Sequence, residues 1–208
     1  MRRGPKEKKE RALGQKLGLK AERSMSPKSA TVRKPYKPGQ HGVNSKRRAR
    51  GLSDFGLQLK EKQKMKISFG LTEIQLKEIL KKAIKAKLNT KEKLINLLER
   101  RLDNVVFRLG LAPTRLVARK MIIDGHITVN GRKVTYPNFA VKIKDLISIN
   151  PNSKNSGQFK NLLEKLKKYE APVWLILNPE KLEGQIGSAP ADIDLPFDFN
   201  MIVEFYSK

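Results

Sequence analysis

The sequence has 208 residues, with 45 Lys or Arg against 20 Asp or Glu, so its formal net charge is +25. No fold requires such an excess of cations, and a polyanionic partner accounts for it. The chain has no Cys, which excludes disulfides and thiolate metal sites. No apolar run reaches the roughly 18 residues that a membrane span needs, and no signal-peptide core follows Met1, so we expect a soluble cytosolic protein without a membrane partner.

The first 50 residues are predicted to form an extended basic N-terminal arm. They hold 17 basic and 3 acidic residues, whereas residues 151–208 hold 7 and 8. Gly, Pro and Ser are frequent and no apolar period is sustained, so this segment buries too little surface to fold alone. Only short helical pieces near residues 6–17 are expected. At residues 38–42, the sequence PGQHG combines two glycines with Gln40 and His41, which suits contact with phosphate; a hydrogen-bonded turn histidine is the alternative for His41.

Residues 51–98 are predicted to be helical. Ser53 is a plausible N-cap for a helix over residues 52–66, on which Lys60 and Lys62 lie. Thr72 and Gln75 have the capping-box spacing at the start of a helix over residues 72–88. Its expected buried stripe consists of Leu76, Ile79, Leu80, Ala83 and Ile84. Thr90 is predicted to cap the helix that follows.

Residues 100–149 contain the clearest pattern, two short helices followed by a hairpin. Leu102, Val105, Val106 and Leu109 fall at i, i+3, i+4 and i+7, which places them on one helix face. Thr114 is predicted to cap the second helix, and Gly125 to end it. Asn130-Gly131 between apolar residues predicts a type I′ turn. A further strand is expected over residues 146–149.

Basic residues accompany these apolar stripes at helical spacing and at the hairpin tip. We expect them to form one basic surface, for which solvated charges on an ordinary helical hairpin are the alternative. The residues of this surface are Arg101, Arg108, Arg115, Arg119, Arg132 and Lys133. Beyond residue 150 we predict a helix with Phe159, Leu162, Leu163 and Leu166 on its buried face, and a buried strand over residues 173–177 with Trp174 in the core.

The segments RLDNVVFRLG (101–110), TRLVAR (114–119) and VNGR (129–132), together with PGQHG (38–42), resemble the family of ribosomal protein four of the small subunit. The central stretch is similar to the alpha-L type of RNA-binding module. One departure is Lys144-Asp145, where the module usually has Gly-Asp. A Lys in a left-handed turn costs about 1 kcal/mol relative to Gly.

The resemblance implies an α+β fold with a mostly helical first domain, an inserted alpha-L RNA-binding domain and the basic arm. The corresponding boundaries are 1–50 for the arm, 51–98 for the helical domain completed by 179–208, and 99–178 for the inserted domain, whose alpha-L module spans about 100–150. Zinc-binding members have a Cys pair where this chain has Ser24 and Ser29. Hydroxyls do not replace thiolates as zinc ligands, so we expect no metal and no other cofactor.

The function implied is that of a structural constituent of the small ribosomal subunit, in the cytoplasm. It would bind ribosomal RNA at a folded junction, nucleate assembly, and lie beside ribosomal protein five and the messenger RNA entry path. No catalytic motif is present. A free RNA chaperone, or an accessory of an RNA-modifying enzyme, is the alternative. The residues expected to contact ribosomal RNA are Arg2, Arg3, Lys37, Gln40, His41, Arg47, Arg48, Arg50, Lys60, Lys62, Arg101, Arg108, Thr114, Arg115, Arg119, Lys120, Asn130, Arg132 and Lys133.

Overall fold

The structure is a computed structural model that describes residues 5–43, 52–86, 89–154, 156–159, 161–190, 193 and 195–207. The chain divides into two compact units, the first formed by Met1–Leu80 with Leu195–Lys208 and the second by Lys81–Asp194. The domain boundaries expected from the sequence, near residues 50, 98 and 178, differ from the limits of these two units. They stay a prediction.

The described residues form helices and one antiparallel sheet, which confirms the predicted α+β class. The helices are α1 (Lys6–Leu13), α2 (Ala21–Met25), α3 (Ala30–Arg33), α4 (Asp54–Ser68), α5 (Glu73–Lys85), α6 (Thr90–Glu99), α7 (Leu102–Arg108), α8 (Arg115–Ile123), α9 (Leu162–Lys167) and α10 (Phe199–Ser207). The strands are β1 (Ile127–Val129), β2 (Arg132–Lys133), β3 (Leu146–Ile149), β4 (Leu175–Asn178) and β5 (Glu183–Ile186). The sheet has the order β2-β1-β3-β5-β4 and lies in the second unit.

In the first unit, α4 packs against α10. The amide of Gln58 donates to Glu204 Oε2 at 3.0 Å, and the rings of Phe55 and Phe205 lie 5.4 Å apart. Ser53 Oγ accepts the backbone N–H of Gly56, which confirms its role as N-cap of α4. This packing joins two segments that are far apart in the sequence.

Helix α5 begins as the sequence predicted, but its buried stripe is narrower. Thr72 and Gln75 exchange hydrogen bonds between side chain and backbone N–H, which confirms the capping box. Leu76 and Leu80 are buried, whereas Ile84 is 46% exposed, so its assignment to the buried stripe is wrong. The N-cap of α6 is also corrected. Asn89, not Thr90, accepts the backbone N–H of Lys91.

The N-terminal segment is not extended over its described part, because α1, α2 and α3 lie within residues 5–43. Glu10 is fully buried, and its Oε1 accepts the backbone N–H groups of Leu17 and Leu19, each at 3.1 Å. Arg23 Nε donates to Glu7 Oε1 at 3.1 Å. The Glu10 carboxylate therefore holds the loop that follows α1. The weak apolar pattern of this segment did not predict that structure.

Ser24 and Ser29, which the resemblance aligned with the Cys pair of zinc-binding members, are both buried. Ser24 Oγ accepts the backbone N–H of Lys20 at 3.1 Å, and Ser29 Oγ lies 2.8 Å from Thr31 Oγ1. Both hydroxyls thus have hydrogen-bond partners from their own segment.

The core of the second unit lies between the helices and the sheet. The predicted stripe on α7 is confirmed, since Leu102, Val105, Val106 and Leu109 are all fully buried. On β5, Gly184 leaves room for Leu109, because a Cβ at Gly184 would lie 2.3 Å from Leu109 Cδ2.

The hairpin between β1 and β2 has the predicted turn, with φ of +51° at Asn130 and +76° at Gly131. Lys144 has a φ of +71°, so the left-handed turn expected where the family has Gly is present.

The last part of the sheet departs from the prediction. Strand β4 covers Leu175–Asn178, and Val173, predicted to be buried, is fully exposed. Trp174 is buried, which confirms its assignment to the core. Strand β5 was not predicted.

Candidate nucleic-acid interface

Helices α7 and α8 carry the arginines of the predicted basic surface, and a short connection joins them. Gly110, with a φ of +75°, follows the end of α7. Thr114 Oγ1 accepts the backbone N–H of Val117 at 3.2 Å, which confirms the predicted cap of α8. The oxygen of the Thr114 hydroxyl thus accepts a bond within the protein, and the residue is buried.

Glu99, the last residue of α6, binds Arg108 through two parallel hydrogen bonds. Arg108 Nε donates to Glu99 Oε2 and Arg108 Nη2 donates to Glu99 Oε1, both at 3.0 Å. The Glu99 side chain is fully buried, whereas the Arg108 side chain is 24% exposed. This fork geometry fixes the guanidinium plane of Arg108 more firmly than a single contact does.

Asn104 connects the same carboxylate to a second arginine. Its Nδ2 donates to Glu99 Oε2, and its Oδ1 accepts a hydrogen bond from Arg115 Nε at 2.6 Å. The Arg115 guanidinium also lies 4.7 Å from the ring centroid of Phe107. Burial lowers the pKa of Arg115 to about 10, although Glu99 and Asp103 raise it, so the side chain remains a cation at neutral pH.

Asp103 holds two further arginines. Arg101 donates to both of its oxygens, at 3.1 and 2.7 Å, and Arg119 Nη1 lies 3.8 Å from Oδ2. Arg101 is only 5% exposed and also donates to Asn138 Oδ1. The expectation that Arg101 shares an exposed face with Arg108 is wrong, because Arg101 precedes α7 and its side chain turns inward to Asp103.

Helix α8 and the hairpin also present exposed cations. Lys120, Arg132 and Lys133 are exposed. The Lys133 side chain passes over Gly125, where an added Cβ would lie 2.0 Å from Lys133 Cε. Asn130 has a structural role in the turn, since both ends of its amide bond residues of the β3 region.

In the first unit, the PGQHG segment forms an exposed turn. Lys37, Gln40 and His41 are exposed. A Cβ at Gly42 would lie 1.8 Å from the carbonyl oxygen of Lys37, so this glycine allows close approach to the protein's own backbone. The Lys37 carbonyl therefore explains the glycine at position 42, and a phosphate close to its backbone is not needed.

The two lysines predicted on α4 differ in exposure. Lys60 is partly exposed. Lys62 is buried: its Nζ donates to Glu73 Oε1 at 2.8 Å and lies 4.2 Å from the ring centroid of Phe205. An RNA contact by Lys62 would have to compete with these internal partners, and it stays a prediction. The remaining predicted contacts, Arg2, Arg3, Arg47, Arg48 and Arg50, lie outside the described residues.

Sequence reasoning missed the acidic and amide residues that hold the arginines: Glu99, Asp103 and Asn104. All three are buried. The available signal was the presence of two carboxylates in a stretch that is otherwise basic, since a buried acid requires a cation or a hydrogen-bond donor nearby.

Within the described ranges, no group of three or more His, Asp or Glu residues is arranged to hold a metal ion. The same part of the chain contains no helix that is both long and apolar enough to cross a membrane.

Comparison with known proteins places this arrangement in a family. The model of the ribosomal protein S4/S9 N-terminal domain matches residues 1–99, and that of the S4 domain matches residues 100–147. The chain is 46% identical over 200 residues to small ribosomal subunit protein uS4A of Alkaliphilus metalliredigens, covering 95% of this chain and 94% of the relative. The chain belongs to the uS4 family of small ribosomal subunit proteins.

Other uS4 proteins match over similar lengths. The uS4 of Acetivibrio thermocellus is 44% identical, with 95% of this chain and 94% of the relative covered. The uS4 of Roseiflexus castenholzii is 44% identical over 209 residues, with 99% and 98% covered. The matched S4 domain contains α7, α8 and the hairpin. Arg101, Arg108, Arg115 and Arg119 therefore lie within the S4 domain of the uS4 family. The resemblance found in the sequence is thus confirmed.

Proposed function

We propose that this chain is a structural constituent of the small ribosomal subunit in the cytoplasm, and that it binds ribosomal RNA without catalysing a reaction. The observation that carries this proposal is the match to uS4 proteins over nearly the full length of both chains. The net charge of +25 supports a polyanionic partner.

The RNA-binding surface proposed for the second unit consists of cations that reach solvent. Arg108, Arg115 and Arg119 are partly exposed, and Lys120, Arg132 and Lys133 are exposed. Arginine forks suit phosphate oxygens, and cations fixed on helices suit the shape of a folded RNA. Arg101, Thr114 and Asn130 are left out because their side chains are committed to internal contacts.

The first unit supplies a second set of proposed contacts. This set consists of Lys37, Gln40, His41 and Lys60, with Arg2, Arg3, Arg47, Arg48 and Arg50 in the segments outside the described residues. A division into an arm over 1–50, a helical domain over 51–98 with 179–208, and an inserted domain over 99–178 also remains part of the proposal.

The family resemblance supports the remaining details of the proposal. The protein docks on a folded junction of the small-subunit RNA and nucleates assembly there. Its neighbours are ribosomal protein five and messenger RNA at the entry path.

Sedimentation of a cell lysate through a density gradient tests the function. We expect the protein to migrate with small subunits at moderate salt. A free pool that modifies RNA bases would overturn the proposal in favour of an enzyme accessory, and a free pool with strand-annealing activity would favour a chaperone.

Binding to purified small-subunit RNA at several salt concentrations tests the mode of contact. If roughly 6–10 phosphates are neutralised, affinity falls about 10³–10⁵-fold between 50 and 200 mM salt. Affinity that does not depend on salt would contradict a surface built from cations.

A further inference from the structure

Two arginines of the second unit, Arg108 and Arg115, are held by acidic and amide side chains of the protein itself. A carboxylate near an RNA-binding surface repels phosphate, so its presence there needs a physical reason. Glu99 is fully buried and contacts Arg108 through both oxygens, while Asn104 links the same carboxylate to Arg115. The chain of contacts runs Arg108–Glu99–Asn104–Arg115.

We infer that Glu99 and Asn104 are positioning residues, which hold the guanidinium groups of Arg108 and Arg115 in the orientation required by ribosomal RNA. This inference rests on the proposed function. A free arginine side chain has many rotamers, and ordering it on binding costs affinity. Here much of that ordering is completed when the protein folds. The side chain of Arg108 remains 24% exposed, so part of its guanidinium can still reach a phosphate.

Asn104 and Phe107 orient Arg115. Its Nε donates to Asn104 Oδ1 at 2.6 Å, and its guanidinium lies 4.7 Å from the centroid of the Phe107 ring. Asn104 in turn donates to both the side chain and the backbone carbonyl of Glu99. The amide of Asn104 therefore cannot rotate without breaking its bonds to Glu99.

The substitution Glu99→Gln separates positioning from simple charge. Glu99 Oε2 accepts from Asn104 and from Arg108 Nε, and Oε1 accepts from Arg108 Nη2. A glutamine amide brings an NH₂ group to one of these positions, so a donor meets a donor in either orientation. The substitution also removes one negative charge, and electrostatics alone would then tighten the binding of RNA.

We therefore expect E99Q to bind small-subunit RNA about tenfold more weakly, since each arginine that loses its support costs roughly 2- to 10-fold. The charge-neutral variant Asn104→Ala is expected to lose about threefold, because it removes the hydrogen bond that orients Arg115 and none of those to Arg108. The slope of affinity against salt stays that of the wild type in both variants, because no cation has been removed. Glu164→Gln, which removes an exposed carboxylate from α9, is the matched control and should bind as tightly as the wild type or slightly more tightly.

If the wild type binds the RNA and both E99Q and N104A bind it as tightly, or E99Q binds it more tightly, the inference is overturned but the proposed function stands. A wild-type chain that does not bind the RNA would instead overturn the proposed function. Thermal unfolding monitored by the fluorescence of Trp174, the only Trp and a residue of the second unit, shows whether each variant is folded.

A measurement on the unmodified protein decides the matter even if both variants fail to fold. Nitrogen-15 relaxation of the arginine Nε–H groups reports their order on the picosecond to nanosecond timescale. In the RNA-free protein we expect order parameters of about 0.8 for Arg108 and Arg115, against values below about 0.6 for the exposed Arg132. Equal mobility of all three would overturn the inference.

Discussion

Asn130 and Asp145 bind each other across 15 residues of chain, with Asn130 Nδ2 donating to Asp145 Oδ1 at 2.9 Å. Asn130 Oδ1 also accepts the backbone N–H of Leu146 at 2.9 Å, and Asp145 Oδ2 accepts that of Lys142 at 2.7 Å. Asn130, which forms the hairpin turn, thus also stabilises the loop that leads into β3. The predicted type I′ turn accounts for the backbone of Asn130 but not for this second role.

Asn130→Ala should destabilise the second unit by about 1–2 kcal/mol, because it removes two hydrogen bonds and leaves a Cβ residue at a φ of +51°. Asn130→Gly removes the same bonds without the backbone strain, so its loss should be smaller. Urea unfolding followed by Trp174 fluorescence measures both. Equal losses would show that strain at this position contributes nothing.

Lys144→Gly should stabilise the second unit by about 0.5–1 kcal/mol, since glycine adopts the φ of +71° at this position without steric cost. Lys144→Ala removes the same charge but keeps a Cβ, and is expected to change the stability little. The same urea titration compares the two. A gain for both variants would attribute the effect to charge instead of backbone conformation.

Gly184→Ala should destabilise the second unit by about 1–3 kcal/mol, because the new Cβ would overlap the buried Leu109 side chain. Leu109→Ala alone should also cost about 2–5 kcal/mol by leaving a cavity. Combining the two gives the new methyl group space, so the double variant should lose less than the sum of the single losses. Strict additivity in the double-mutant cycle would refute the close contact between β5 and α7.

The variant Arg132→Gln with Lys133→Gln should weaken binding to small-subunit RNA and reduce the slope of log affinity against log salt by about 1.4–1.8, if each side chain neutralises one phosphate. Lys167→Gln with Lys168→Gln, on exposed positions of α9 or directly after it, removes the same charge from residues that are not among the proposed contacts. It should leave the slope near that of the wild type. Equal slopes for both double variants would place the hairpin tip outside the interface.

Glu73 should make the first unit less stable in acid. Although burial raises its pKa, hydrogen bonds from Lys62, Lys66 and Tyr206 outweigh that effect and lower the pKa from 4.5 to about 2. A lowered folded-state pKa gives stability that is present above about pH 4.5 and lost as the pH falls towards 2. Since the side chain is 45% exposed, we expect only about 1 kcal/mol after solvent screening.

Thermal unfolding followed by circular dichroism at pH 7 and pH 3 measures the stability that Glu73 contributes. Other carboxylates titrate in the same range, so Glu73→Gln is the comparison that isolates it. The variant should lose stability at pH 7 and show a smaller further loss at pH 3 than the wild type. Parallel losses in the two proteins would contradict a lowered pKa.

Local patterns predicted much of the fold. The apolar spacing of Leu102, Val105 and Val106 identified α7, and the caps Ser53 and Thr114 were predicted because their hydrogen bonds form within three residues of chain. Thr90 was predicted as the cap of α6, whereas the structure has Asn89 in that role. Both are good capping residues one position apart, and sequence alone does not distinguish them.

Features that depend on distant contacts were not predictable in the same way. Strand β5 has Gly184 at its centre, which weakens a strand pattern but is required by Leu109 on another element. In the candidate interface, a count of arginines did not reveal that Arg101 is buried against Asp103. The pairing of Lys62 with Glu73 and Phe205 likewise depends on packing between distant segments, which no periodicity encodes.

The packing of α4 against α10 has a consequence for how the chain is made. Translation proceeds from the first residue onward, so the 130 residues between the end of α4 and the start of α10 are made before α10 begins. At about 5–20 residues per second, α4 waits roughly 7–26 s before the segment that covers it is synthesised. All of residues 81–194 are synthesised during that delay, so the second unit is available to fold before α4 and α10 can pack together.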